Sequence, residues 1–154
     1  MVRSAPPPIV LVAEDHNHDK FILREVFSRA GIAVDLRFVS DGEEMLDYLY
    51  RRGPFAEPGL APVPVLALLD LNMPRLDGRK VIRILRADAT LSRLPVIALS
   101  TSESQKHINE AYSTGINAYL VKPASIPEYV AKILSLWQFW IVTASLPGIE
   151  DVRP

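Results

Sequence analysis

Side chains that can do chemistry follow four short apolar segments of the chain. Glu14 and Asp15 end the first of these segments, Asp70 ends the second, Ser100 the third and Lys122 the fourth. Taken alone, each is usually a turn residue, a cap or a solvated surface charge. If the segments are strands of one parallel sheet, however, their carboxyl ends lie at one edge, which is where such sheets bind ligands. The pattern therefore predicts a polar cluster at that edge.

The predicted cluster has the composition of a phosphoryl-transfer site. Crowded carboxylates repel one another, and at least one is protonated unless a cation compensates them. Mg²⁺ suits this role, because it takes oxygen ligands and combines one or two carboxylates with a phosphate oxygen. Lys122 can neutralise phosphate charge, and Asp70, in the middle of the cluster, can attack phosphorus as a nucleophile. We therefore expect a magnesium-assisted transfer of a phosphoryl group to Asp70.

The segments that position these residues alternate between strand-like and helix-like patterns. Apolar or β-rich runs predict strands at 9–13, 34–39, 65–69, 96–99 and 119–121. Helical periodicity predicts a helix after each strand, the last from 125 to about 144. Capping signals at Asp41-x-x-Glu44, Ser102-x-x-Gln105 and Ser125-x-x-Glu128 support three of these helices. This alternation indicates an α/β fold, a doubly wound five-stranded parallel sheet with helices on both faces, (βα)5 and flavodoxin-like. We expect one domain over 7–146, a surface loop at 51–64 and a flexible tail at 147–154.

Composition excludes several other classes of protein. The formal net charge of -1 gives no bias toward nucleic acid, and the absence of cysteine removes disulfides and thiolate chemistry. The most apolar stretch, 133–146, is too short to span a bilayer. Three prolines interrupt the amino-terminal segment where a secretory signal needs an apolar run. We expect a cytoplasmic protein that binds neither nucleic acid nor membrane.

Four motifs together resemble the receiver domains of response regulators, the family of the chemotaxis response regulator. The resemblance covers about residues 9–146, and the motifs occur in family order. They are Val-Ala-Glu14-Asp15, Leu-Leu-Asp70-Leu-Asn72-Met-Pro74-Arg-Leu-Asp77-Gly78, Ala-Leu-Ser100-Thr101 and Ala-Tyr119-Leu-Val-Lys122-Pro123.

The resemblance implies a role for each residue of the site. Asp70 is the phosphoacceptor and Lys122 contacts the phosphate. Glu14 and Asp15 form the acidic pair, and they bind Mg²⁺ together with Asp70 and the backbone carbonyl of Asn72. Glu14 stands where the family more often has Asp.

The resemblance also implies a conformational switch. Ser100, in place of the commoner Thr, is the switch hydroxyl that acts with the phosphoacceptor and Lys122, and Tyr119 is the switch aromatic. The Lys122–Pro123 bond is cis in the family.

A narrower resemblance concerns the partner and the output. The loop 51–64 and the ending Leu136-Trp-Gln-Phe-Trp140 are similar to the small receivers that pair with bacterial phytochrome histidine kinases. Because the chain ends shortly after the fifth predicted helix, we expect no output domain and signalling through protein contacts. The alternatives are a phosphorelay intermediate that passes phosphate to a histidine phosphotransfer protein, a receiver that serves only as a scaffold, and an aspartate-nucleophile phosphatase. The phosphatase needs a second acid two residues after its nucleophile, where this chain has Asn72, so we expect no enzyme.

The last predicted helix carries more apolar residues than one sheet face can cover. Assigning Val130, Ile133, Leu134, Trp137 and Ile141 to the core leaves Leu136, Phe139, Trp140 and Val142 on other faces. Contiguous exposed apolar residues usually mark a partner surface. We therefore expect a homodimer whose interface contains Leu136, Phe139 and Trp140. The alternative is that the loop 51–64 or the Pro-rich ends fold over these residues.

Overall fold

The computed structural model describes residues 4–73 and 77–149 of the chain. Pro74, in the motif that follows Asp70, and residues 150–154 of the predicted tail lie outside this range. Five parallel strands form one sheet in the order β2-β1-β3-β4-β5, which confirms the predicted doubly wound arrangement. The strands are β1 (Ile9–Ala13), β2 (Asp35–Val39), β3 (Leu66–Asp70), β4 (Val96–Ser100) and β5 (Ala118–Val121). The helices are α1 (Asn17–Arg29), α2 (Gly42–Tyr50), α3 (Gly78–Ala87), α4 (Gln105–Ser113) and α5 (Ile126–Trp137).

The sheet is buried on both faces because successive side chains of a strand point to opposite sides. Leu11 of β1 and Leu69 of β3 belong to the core under α2, α3 and α4. Val12 and Leu68, their neighbours in sequence, belong to the core under α1 and α5. Every residue of β3 and β4 is buried, whereas every residue of β5 is half-buried. β3 and β4, which both end in a polar residue, are thus more deeply buried than β5.

Local capping chemistry fixes several helix ends as the sequence predicts. The side chain of Asp41 accepts from the backbone N–H of Glu44 at 2.8 Å, and that of Ser125 accepts from Glu128 at 3.3 Å. Gly31, after α1, has a φ of +69°, the left-handed conformation that glycine adopts without strain. The predicted cap at Ser102 is wrong, since α4 begins three residues later with Ser104 at its N-cap position.

The loop 51–64 is anchored on α2. The Tyr48 hydroxyl donates to the Pro62 carbonyl at 2.7 Å, and the Arg51 Nε donates to the Ala61 carbonyl at 3.2 Å. Ala61 is fully buried. The loop therefore packs on the α2 side of the sheet, and it does not cover the surface of α5.

The prediction for α5 needs two corrections. Regular α-helix ends at Trp137, and a π-helical turn follows over Gln138–Thr143. The core-facing stripe is also rotated from the predicted one: Leu136 is buried at 8% exposure and Leu134 is 38% exposed. The reason is that Tyr129, Ile133 and Leu136 lie at i, i+4 and i+7 and pack together against the sheet.

The exposed apolar surface of α5 is accordingly smaller than predicted. Trp140 packs against the core with Ile141, whereas Phe139 is 56% and Val142 64% exposed. A groove of about 440 Å³ runs beside Phe139 between α5 and the edge strand β5. Leu136 and Trp140 form its wall rather than projecting from the surface.

The segments that lead into β4 and β5 are held together by Arg86 of α3. Its guanidinium donates to the carbonyls of Ser92, Leu94 and Gly115 at 2.8–2.9 Å. It also donates to the side chain of Asn117 at 2.9 Å. One side chain thereby joins the end of α3, the start of β4 and the segment after α4.

Candidate functional site

The strand ends bring the predicted side chains together at the carboxyl edge of the sheet. Glu14 lies directly after β1, while Asp70 and Ser100 are the last residues of β3 and β4. All three are at most 4% exposed. Lys122 follows β5, and its backbone N–H donates to the Ser100 carbonyl at 2.7 Å, which extends the ladder of the sheet. Polar side chains thus converge where the sequence predicts them.

Asp70 is the centre of the cluster. Lys122 Nζ lies 2.7 Å from Asp70 Oδ2 and 3.7 Å from Glu14 Oε2. The backbone N–H of Asn72 donates to Asp70 Oδ1 at 2.8 Å. Burial favours a raised pKa for Asp70. The hydrogen bonds from Glu14 and Lys122, the charge of Lys122 and the N–H of Asn72 outweigh burial and lower it. The carboxylate of Asp70 is therefore ionised, as a nucleophile must be.

Glu14 has the opposite protonation behaviour. Burial, followed by its hydrogen bond to Asp70, raises the pKa of Glu14 to about 8. The raised pKa favours a protonated Glu14 beside an ionised Asp70. A cation bound here would take the place of that proton.

The acids fit a divalent metal ion, although not in the predicted combination. Carboxylate oxygens of Glu14, Asp19 and Asp70 lie within 4.8 Å of one another, and Glu14 also shares such a group with Asp15 and His16. The predicted trio of Glu14, Asp15 and Asp70 does not meet this spacing among the described residues. The hydrogen-bonding capacity of Asp15 is nevertheless unsatisfied, because its buried Oδ1 has no hydrogen-bond partner among the described residues. An orphaned carboxylate oxygen beside a protonated carboxyl group suits an oxygen-ligating cation. Glu14 and Asp70 would hold it with Asp19 or Asp15, and the Asn72 carbonyl stays a predicted ligand.

Asp19 is a site residue that the sequence analysis missed. It lies in the first turn of α1 and reads as an ordinary helix-start acid. The only sequence signal is its position. Because α1 starts shortly after β1 ends, its first turn lies at the same carboxyl edge of the sheet. Asp19 also lines a small cavity of about 170 Å³ together with Glu14, Asp70, Lys122 and Tyr129.

The predicted switch residues are joined through the loop between β4 and α4. The Ser100 hydroxyl donates to Asn72 Oδ1 at 3.5 Å and accepts from the backbone N–H of Ser102 at 3.1 Å. The Tyr119 hydroxyl donates to the Ser102 carbonyl at 2.8 Å. Asn72 Nδ2 also donates to Thr101 Oγ1 at 3.4 Å. The Lys122–Pro123 bond, expected to be cis, is trans, since no cis peptide occurs in the described ranges.

The comparisons with known proteins agree with this geometry. The family model described as the response regulator receiver domain matches residues 10–134. The chain belongs to the response regulator receiver family. This receiver is 31% identical to response regulator Rcp1 of Synechocystis over 145 residues, covering 94% of this chain and 97% of Rcp1. A structure of Rcp1 described as Mn²⁺-bound superposes with a TM-score of 0.78, covering 92% of this chain and 100% of that one.

Two further solved structures are similar along most of the receiver. Response regulator RPA3017, described as acting in red light signalling of R. palustris, is 69% identical with a TM-score of 0.89. The phosphorylated cyanobacterial phytochrome response regulator RcpA is 33% identical with a TM-score of 0.80. Each covers 92% of this chain and 99% of its own. Within the ranges that the structure describes, no helix of the receiver is both long and apolar enough to cross a membrane.

Proposed function

We propose that this receiver is a phosphorylation-controlled regulator of a two-component system, that Asp70 carries the phosphoryl group, and that the chain is not an enzyme. The observation that supports this most directly is the 2.7 Å contact between Lys122 Nζ and Asp70 Oδ2 in a buried cluster of acids. A partly buried ammonium beside an ionised carboxylate holds the nucleophile in one orientation and offers a positive charge to an incoming phosphate.

The transfer itself needs little covalent chemistry from the protein. An Asp70 carboxylate oxygen forms a bond to phosphorus while the bond from phosphorus to an imidazole nitrogen of the donor breaks. The released imidazole takes up a proton. Lys122 remains paired with the anionic product. We assign Mg²⁺ to the acidic pocket, where it would neutralise charge on the transferring group.

We propose a bacterial phytochrome histidine kinase as the phosphoryl donor. The described functions of RPA3017 and RcpA support this assignment, because they are similar to this chain along nearly all of their length. Phosphatase chemistry has no support in the site: Asn72, two residues after Asp70, makes hydrogen bonds to Asp70, Ser100 and Thr101 and offers no acid.

Intact-mass measurement after incubation with Mg²⁺ and acetyl phosphate tests the phosphoacceptor. The parent should gain one phosphoryl group and Asp70→Asn none, because an amide is nearly isosteric but a poor nucleophile. Asp77→Asn is the matched control: Asp77 caps α3 by accepting from Lys80, and Asn keeps that oxygen. Equal mass gain in Asp70→Asn would refute the assignment. Radiolabel transfer from a phytochrome kinase, compared with an unrelated kinase, tests the donor.

We also propose that two copies pair through the groove between β5 and α5. Phe139 is 56% exposed beside this groove, and its ring meets Trp140 edge-to-face at 5.3 Å between centroids. An aromatic residue exposed next to an apolar groove suits a symmetric contact in which each Phe139 enters the partner's groove.

Sedimentation at micromolar concentration tests the pairing. Phe139→Glu should shift the protein to monomer, and Val142→Glu, equally exposed but not part of the groove, should not. Trp140 is left intact, because it packs against the core and its replacement would unfold the helix end. A parent that sediments as a monomer, with and without phosphate, rules the dimer out.

A further inference from the structure

α4 is held in place mainly by polar contacts. It buries one of its nine residues, Ala111, whereas α2, of the same length, buries four. A cavity of about 400 Å³ lies beneath it, with Leu69 and Ile82 among its apolar lining. Little apolar area therefore fixes α4, and its position depends on the side-chain bonds that it makes.

Ser102 joins α4 to both switch residues. Its backbone N–H donates to the Ser100 hydroxyl at 3.1 Å, and its carbonyl accepts from the Tyr119 hydroxyl at 2.8 Å. Its own hydroxyl lies 2.7 Å from Nδ1 of His107, in the first turn of α4. A single residue outside the helix thus contacts the switch hydroxyl, the switch aromatic and the helix.

The contact between Ser102 and His107 does not depend on one charge state of the imidazole. The Ser102 hydroxyl accepts from the N–H of Ser104 at 3.2 Å, which leaves its single hydrogen for His107 Nδ1. A doubly protonated imidazole would instead donate from Nδ1 to the second lone pair of the same oxygen. The bond can therefore form in either charge state of the imidazole.

We propose that His107 is the positioning residue that transmits the state of Ser100 and Tyr119 to α4, by way of the Ser102 hydroxyl. This inference rests on the proposed function. When a phosphoryl oxygen on Asp70 takes the hydrogen that the Ser100 hydroxyl now donates to Asn72, that hydroxyl moves toward Asp70 while it still accepts from the N–H of Ser102. The Ser102 peptide moves with it, and the bond to His107 carries the first turn of α4 along.

Two other polar side-chain contacts of α4 do not involve Ser102. Arg79 of α3 lies 3.4 Å from Glu110, but the two side chains are 61% and 42% exposed, so that water screens the pair. The Tyr112 hydroxyl accepts from the backbone N–H of Tyr119 at 3.2 Å and holds the far end of α4 to β5. His107 is thus the described contact that reaches Ser102 from the helix.

Amide hydrogen exchange of α4, measured with and without beryllium fluoride as a stable phosphoryl analogue, tests the proposal. In the parent, the analogue should change exchange in the first turn of α4. In His107→Ala and Ser102→Ala this change should shrink at least about fivefold, the lower end of usual coupling between sites. His107→Asn, which places an amide oxygen near the position of Nδ1, should restore much of it. Lys106→Ala, an exposed neighbour on the same turn, should behave as the parent.

Intact mass after acetyl phosphate separates the two hypotheses. His107→Ala should still gain one phosphoryl group. If the parent gains none, the proposed function itself fails. If the parent is phosphorylated but α4 responds equally in His107→Ala, or does not respond in the parent, the role of His107 is refuted.

Discussion

The central strands and the β5 edge of this receiver differ in how firmly they are held. β3 and β4 are buried along their whole length and end in Asp70 and Ser100, which are 2% and 3% exposed. β5 is half-buried throughout and lies beside α4, which has the fewest buried residues of the five described α-helices. The residues whose chemistry needs fixed distances thus lie on β3 and β4, the rigid region. The surfaces that must change lie on β5 and α4, the edge region, which have less packing to lose. Transmission between them must cross from β4 to β5, where Ser102 lies.

The largest expected effect comes from removing the Ser100 hydroxyl, where the transmission from β4 to β5 begins. Ser100→Ala keeps Asp70, Lys122 and the acids, so the protein should still gain a phosphoryl group by mass. It should lose nearly all phosphate-dependent change in α4 and in assembly, because no hydroxyl remains to follow the phosphate. Hydrogen exchange and sedimentation measure this. Ser92→Ala is the control, because Ser92 lies before the start of β4 and accepts from Arg86 only through its backbone carbonyl. An unchanged response in Ser100→Ala would mean that the two regions communicate by another route.

Metal binding should stabilise the rigid region directly. A ligand present at a hundredfold above its dissociation constant contributes about 2.7 kcal/mol, which for a chain of this size raises the melting temperature by roughly 5–10 °C. Asp15→Ala should lose most of this increase, because Asp15 Oδ1 has no hydrogen-bond partner among the described residues and only His16 Nδ1 at 3.6 Å beside it. Thermal melts with and without Mg²⁺ measure it, and Asp41→Asn, a helix cap outside the pocket, serves as control. A parent indifferent to millimolar Mg²⁺ contradicts the site.

The protonation of Glu14 predicts a pH dependence of the metal-free protein. Its pKa is raised from 4.5 to about 8 in the folded state, so the folded protein binds the proton more tightly than the unfolded chain. This contribution to stability is complete below pH 4.5 and is lost as pH rises through about 8. The lowered pKa of Asp70 acts the other way, and its contribution is lost only on acidification.

Urea unfolding in EDTA between pH 5 and 8.5 measures this dependence. Glu14→Gln should flatten the decline across this range, because the amide mimics the protonated carboxyl group. A variant that declines as steeply as the parent would place the titrating group elsewhere.

The smallest effect is expected at the Arg79–Glu110 pair. Both side chains are more than a third exposed, and such pairs contribute about 0.2–1 kcal/mol. Glu110→Gln should therefore change the free energy of unfolding by less than about 1 kcal/mol and leave the response of α4 intact. Urea unfolding and hydrogen exchange at low and high salt check this. A large loss of response would show that α3, rather than the switch loop, controls α4.

The sequence predicts the rigid region better than the edge, for a physical reason. Buried parallel strands are short apolar runs whose ends are unambiguous, so Glu14, Asp70, Ser100 and Lys122 could be placed at one edge before any coordinates. Asp19 could not, because an acid in a first helical turn has a sufficient local explanation.

The prediction of the edge region from sequence fails for a different reason. Between 133 and 142 nearly every residue of the last helix is apolar, so periodicity does not choose between the stripes of Leu134 and Leu136. Only packing against the sheet decides. The hydrogen bonds of Ser102 to Ser100, Tyr119 and His107 depend on loop conformation, which has no sequence period.

The guanidinium of Arg86 anchors α4 at one end, so that the helix pivots about that end. By binding the Gly115 carbonyl at 2.8 Å, it fixes the segment that follows the carboxyl end of the helix to the framework of α3 and β4. A helix with one anchored end rotates about that end and does not slide. At 1.5 Å per residue, α4 is about 13 Å long, so a tilt of about 10° moves its first turn by roughly 2 Å. The largest displacement therefore falls at His107, where the switch loop applies its force.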